Sequence, residues 1–251
     1  MTNDQIPSQL SDSLRGIRAL LFDVLGTVVD WRSGVARDVS AFLSRQKATH
    51  IDSAQFADAW ALRYTSATEE VRSGRRPFIR LDVLHRENLE GTLQEFGIDP
   101  HGVPGAELDY LNLAWHRLDP WPDSIAGLKR LKTQYIIAPF SGGNTSLLLH
   151  MAKRAGIPWD AILGSDVIGV YKPAPEAYFR TLDFLTLKPE EVLLVAAHND
   201  DLAVARECGM RTGFVVRATE HGPSQTSDLH PIDKWDVIAA DFVDLAAKLG
   251  V

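Results

Sequence analysis

The chain predicts an α/β protein on a doubly wound, Rossmann-like parallel sheet, with a helical cap inserted after the first strand. Three observations carry that reading. Short apolar runs bounded by turn residues recur at 17–22, 135–140, 192–197, 212–216 and 236–240, as expected of strands buried on both faces. Helix-like stretches at 146–155, 175–185 and 200–208 lie between them, the last followed by Gly209 as a C-terminal stop. The region 31–121 instead holds helical patterns at 34–46, 54–73 and 81–95, with no convincing buried strand. The expected division is a discontinuous α/β core, 14–30 with 121–251, and a helical cap, 31–120.

Composition narrows the function. At 251 residues and 45% apolar, the chain has ample material for a core. With 26 Lys and Arg against 33 Asp and Glu, the net charge of -7 offers no basic face for nucleic acid. The apolar runs fall far short of the roughly 20 residues that span a bilayer. Residues 1–15 lack a basic start and an apolar middle, and the single cysteine, Cys208, cannot form an internal disulfide. A cytoplasmic protein is expected, with no nucleic acid or membrane partner.

In open α/β sheets ligands sit beyond the carboxyl ends of the strands, so the residues there come first. The first strand runs into Phe22-Asp23-Val24-Leu25-Gly26-Thr27. Asp23 reads either as a carboxylate at the mouth of the crevice or as the cap of the following turn, and Gly26 lets the chain turn away. The second ends in Ser141-Gly142-Gly143-Asn144-Thr145. A hydroxyl with glycine-freed amides suits an anion at a helix start, and ordinary N-capping by Ser141, Asn144 or Thr145 is the alternative. Lys172 precedes Pro173 and Pro175, and Pro175 can open a helix that places Tyr178 one turn in. The third ends in His198-Asn199-Asp200-Asp201, where acids also suit a helix start. Each segment has a bland reading alone; an Asp, a Ser, a Lys and an Asp in this order around one crevice form a constellation.

From Asp23 to Val216 this order resembles the haloacid dehalogenase superfamily. Its motifs match an Asp-x-x-Gly-Thr loop at Asp23 to Thr27, a hydroxyl at Ser141, a Lys before Pro at Lys172, and an acidic loop at Asp200-Asp201. Within it, the stretches around Asp23, Leu148 to Lys153, Trp159 to Gly164 and Tyr171-Lys172-Pro173 are similar to the type II L-2-haloacid dehalogenases. The resemblance implies Asp23 as nucleophile, Thr27 holding its carboxylate, and Ser141 on the substrate carboxylate. It further implies Lys172 and Tyr178 supporting the nucleophile and its ester, and Asp201 positioning water. Leu25, Gly142, Asn144, His198 and Asn199 beside these motifs are expected substrate contacts. Arg63 is put forward as the cap arginine for halide, although it lies three residues after Trp60 rather than directly behind it, with Arg76 and Arg80 as others. His198 stands where the family usually has Asn, and either donates to halide or water or caps a loop.

Phosphatases of the superfamily usually carry a second Asp two residues after the nucleophile, as acid toward the leaving alcohol. Here that residue is Leu25, which exchanges no proton, and a departing halide needs none. The resemblance therefore implies hydrolysis of small anionic 2-haloacids to 2-hydroxy acids and halide, without metal or cofactor, in a possible homodimer. A magnesium-dependent phosphatase and a non-catalytic binding protein are the alternatives. Tryptophans 31, 60, 115 and 121 are expected mainly to pack cap against core, and Cys208 to be packing.

Overall fold

The computed structural model describes residues 14–251. The expectation of an unexported chain, drawn from residues 1–15, falls almost wholly outside them. Along the chain, β1 (Ala19–Phe22) leads to the two-residue β2 (Val29–Asp30). Four helices follow: α1 (Trp31–Arg45), α2 (Ser53–Arg72), α3 (Leu81–Glu95) and α4 (Gly105–Asn112). The chain returns through β3 (Asp119–Pro120), which pairs antiparallel with β2. Next come α5 (Ser124–Leu131), β4 (Ile136–Pro139), α6 (Thr145–Ala155), α7 (Ser165–Ile168) and α8 (Pro175–Leu185). The last elements are β5 (Val192–Ala196), α9 (Asn199–Glu207), β6 (Arg211–Val215), β7 (Val237–Ala239) and α10 (Phe242–Lys248).

The main sheet has the order β4-β1-β5-β6-β7, every pair parallel, so the fold class expected from the sequence is the one observed. β1 sits between β4 and β5, with Leu21 opposite both Ala138 and Leu194. Successive side chains of a strand point to opposite faces, and both faces here are dry. Leu20 and Phe22 pack with Leu128, Met151 and Phe242 from α5, α6 and α10. Ala19 and Leu21 pack with Tyr178, Leu182 and Leu202 from α8 and α9. That double burial explains the uninterrupted apolar runs in the sequence. Cys208, buried on the second of these faces, is packing.

The paired β2 and β3 were not expected, because two residues are too short to show a period. Their pairing brings the start and end of the helical segment together, and Trp121 N–H and Ser124 Oγ both donate to Val28 O. Of the tryptophans, Trp60 is fully buried and donates to His85 O within the helical segment, and Trp121 donates to Gly26 O. Among the described residues no helix is long and apolar enough to cross a membrane.

Candidate active site

The parallel sheet aims β1, β4 and β5 so that their carboxyl ends open into one cavity of about 470 Å³, which Asp23, Ser141 and His198 line. Asp23 continues the ladder, its N–H donating to Val195 O at 3.0 Å, so its backbone is as fixed as the strand itself. The chain then turns at Gly26, whose φ of +87° favours glycine. A Cβ there would also lie 2.0 Å from a Glu220 carboxylate oxygen. The turn returns Thr27 to Asp23: its hydroxyl donates to Asp23 Oδ2 at 2.7 Å and accepts from Ala197 N–H at 2.9 Å. Behind it the buried Arg217 donates to Thr27 O and clasps Asp123 with both terminal nitrogens.

Lys172 Nζ bridges two carboxylates, Asp23 Oδ1 at 2.9 Å and Asp201 Oδ2 at 2.5 Å. Pro175 opens α8 as expected, and one turn on Tyr178 donates to Asp201 Oδ1 at 2.6 Å. On the other side, His198 Nδ1 lies 3.2 Å from Asp23 Oδ2, and its Nε2 meets Glu220 Oε2 at 2.9 Å. Glu220 also accepts from Trp31 Nε1 at 3.0 Å and is 3% exposed.

These contacts set the charges. Burial opposes ionisation of Asp23, but the Lys172 ammonium and His198 outweigh it and hold the carboxyl well below its usual range. Burial likewise works against the charge on Lys172 and on His198. Asp201 and Asp23 nevertheless raise Lys172 above an ordinary lysine, while Asp23 and Glu220 raise His198 well above 6.5. Asp201 is raised, first by burial and also by Asp23, against the pull of Lys172. The result is an ionised, immobilised Asp23 between two cations, competent for nucleophilic displacement. The Lys172 ammonium stands between Asp23 and Asp201, where it supplies the positive charge that two facing acids require. Among the described residues no cluster of three or more His, Cys, Asp or Glu is arranged to hold a metal.

A model of the haloacid dehalogenase-like hydrolases matches residues 17–209, most of the chain. The chain belongs to that family. Its similarity runs to dehalogenases in particular. A solved defluorinating L-2-haloacid dehalogenase is 53% identical, with a TM-score of 0.93 over 96% of this chain and 98% of the other. A second solved L-2-haloacid dehalogenase is 44% identical, with a TM-score of 0.88 over 93% and 99%. The (S)-2-haloacid dehalogenase 4A of Burkholderia cepacia is 28% identical over 249 residues, 92% of this chain and 96% of its own. The resemblance expected from the sequence is thus borne out.

Within this haloacid dehalogenase-like site, the structure brings Asp23, Thr27, Lys172, Asp201 and His198 into one hydrogen-bonded cluster, with Ser141, Gly142 and Leu25 on the same cavity. It separates others. Tyr178 reaches Asp201 rather than Asp23 and sits behind the wall, fully buried. Asn144 spends its side chain on Asp82 of α3 and on Ser146, joining α6 to the helical segment. Asn199 holds the loop after β6, bonding Asp228, His230 O, Ile232 N–H and Trp235 Nε1. Neither asparagine faces substrate space, because both amides are saturated by other groups of the protein. The amides opening α6 are also partly committed: Gly143 N–H donates to Ser141 Oγ and Thr145 N–H to Asp166 Oδ1.

The arginine expectation is corrected most clearly. Arg63 turns away from the cavity and binds Glu95 and Gly91 O of α3. Arg76 clasps Glu87, and Arg80 is exposed beside Asp166. The face of α2 that meets the cavity carries Ala61, Tyr64, Thr65, Thr68 and Arg72, the i, i+3, i+4, i+7 and i+11 positions of one helical stripe. Counting that stripe from Ala61 finds Arg72 and rejects Arg63. Glu220 was missed although it follows a strand, β6, whose carboxyl end received no scrutiny.

Proposed function

We propose that this chain is an (S)-2-haloacid dehalogenase that hydrolyses short 2-haloalkanoic acids, haloacetates included, to 2-hydroxy acids and halide. The observation that carries this is the pairing of an ionised Asp23 with the hydrocarbon Leu25 on one cavity wall. A nucleophile is present, and the position from which a phosphatase would protonate an alcohol is inert. The similarity to dehalogenases along nearly the whole chain supports the same reading.

Asp23 attacks C2 in line, a C–O bond forming as the carbon–halogen bond breaks and its electron pair leaves with the halide. Configuration at C2 inverts, so an (S)-acid yields an (R)-hydroxy acid. Ser141 binds the substrate carboxylate, Leu25 walls the substrate, and Lys172 stabilises first the nucleophile and then the oxyanion formed when water adds to the Asp23 carbonyl. Asp201, held by Tyr178, fixes Lys172. Esterification removes the Asp23 charge, one of the two that keep His198 protonated. His198, still oriented by Glu220, is thereby released to take a proton from water in the second step. We take 31–120 as a cap over the core of 14–30 and 121–251, the cytoplasm as the location and a homodimer as the assembly.

The deciding experiment measures halide released from chloroacetate and (S)-2-chloropropionate with and without a chelator, beside phosphate released from a general phosphatase ester. Halide release indifferent to chelator is expected. Phosphate release that requires magnesium, without halide release, would reverse the reading.

A further inference from the structure

The dehalogenase reaction proposed above leaves one requirement unassigned, a group that receives the halide. In-line attack puts the departing halide on the side of C2 opposite Asp23, away from the end of β1 and toward the helical wall. The donors on that wall differ in what they have free. Arg72 spends three of its five N–H donors within the protein, on Lys172 O at 3.0 Å, Thr68 Oγ1 at 3.1 Å and Glu69 at 2.7 Å, which tie its guanidinium to α2 and to the Lys172 backbone. The Thr68 hydroxyl donates back to Tyr64 O at 2.9 Å within its own helix. Trp115 and His85 line the cavity too, but their unpartnered Nε1 and Nδ1 atoms are buried.

Tyr64 is different. It lines the cavity, and its hydroxyl makes no hydrogen bond to any described residue. It lies in the field of Lys172, Asp23, Arg72 and Asp201, at the reacting centre. It also presses on the segment after β4: a Cβ on residue 142 would stand 2.2 Å from Tyr64 Oη. Gly142 therefore leaves the room in which the phenol sits beside Ser141.

We infer that Tyr64 is the leaving-group residue of this enzyme, its phenol O–H meeting the halide as it departs from C2 and favouring the small, hard halides, fluoride above all. The phenol gives a hydrogen bond and keeps its proton: the electron pair of the carbon–halogen bond leaves with the halide, and nothing else is transferred. Burial pushes the Tyr64 hydroxyl up to about 12, so it is a neutral donor throughout the working pH range. The preference follows from charge density. A hydrogen bond to a compact anion is stronger than one to a large, diffuse anion, and the poorest leaving group depends most on stabilisation of its developing charge.

The test is Tyr64→Phe, which keeps the ring and removes one oxygen, assayed for halide release in a single turnover of fluoroacetate, chloroacetate and bromoacetate. The expected losses are about 100-fold, about 10-fold and about 3-fold in that order, the scale of one hydrogen bond to a charged group. Gly142→Ala, which crowds the hydroxyl out of its place, is expected to rank the halogens the same way. A loss equal for all three halogens, as a merely structural role would give, or no loss in Tyr64→Phe, would overturn the inference while leaving the dehalogenase reading intact. A parent enzyme that releases no halide from any of the three would overturn both.

Discussion

The two walls of the cavity are built on opposite principles. The sheet-end wall is saturated: Asp23 alone is held by Thr27, Lys172 and His198, and each of these has a second partner behind it. The helical wall holds Thr68 and Arg72 in bonds of their own but leaves Ala61 and Tyr64 offering a methyl group and an unbonded hydroxyl. Bonds to a buried nucleophile must be made before substrate arrives, since reorganisation during reaction costs rate. A wall that meets a leaving group keeps its donor free until the charge develops. Preorganisation and vacancy are thus two halves of one design, and variants on either side should fail differently.

The largest effect belongs to the saturated wall. Asp23→Asn is expected to lower turnover by about 10⁴-fold or more, since a neutral amide oxygen is a far poorer nucleophile than the carboxylate it replaces. The chemistry has an independent check in the parent enzyme: a single turnover in heavy-oxygen water should put label into Asp23. Label found only in the product, with the protein unlabelled, would mean that water attacks C2 directly.

This same contrast explains what the sequence could reveal. Asp23, Ser141, Lys172 and Asp201 were legible because each stands just after a strand or before a helix start, where local pattern and position in the crevice coincide. Asn144 and Asn199 stand at equally favourable places and were misread, because their partners, Asp82 and Trp235, lie tens of residues away and only folding joins them. The helical wall was opaque for a further reason. Its residues are selected by the face α2 turns to the cavity, and the sequence alone left Arg63, Arg76 and Arg80 as candidates without showing the stripe through Tyr64 and Arg72. The apolar runs, by contrast, make the sheet plain from the sequence alone.

A smaller effect should separate the two chemical steps on the saturated side. Glu220→Gln leaves Asp23, Lys172 and Thr27 in place but replaces the charged acceptor behind His198 with a neutral amide. Halide is then expected in a rapid burst, followed by ester hydrolysis slowed by about 10–100-fold. The sign of the pH effect is fixed by the charges. Glu220 raises His198, so its loss lowers that imidazole, and the acid limb of the turnover profile, which reports neutral His198 in the ester, should move to lower pH. A limb that stays in place, or the absence of a burst, would remove His198 from the second step.

The smallest effect tests the boundary of the helical wall. Arg63 and Tyr64 are neighbours in sequence, yet they lie about 100° apart around α2. The Arg63 guanidinium sits 2.9 Å from Glu95 with 38% of its side chain exposed. An exposed pair of this kind contributes roughly 0–1 kcal/mol. Arg63→Ala is therefore expected to keep kcat/KM within about twofold for every halogen, since a surface substitution leaves the transition state untouched. Its melting temperature should fall by no more than a few degrees. If Arg63→Ala instead lost activity in proportion to the leaving group, the cap would present a different face of α2 to substrate from the one seen here. Helix rotation or cap closure would then have to bring a cation, not a phenol, to the halide.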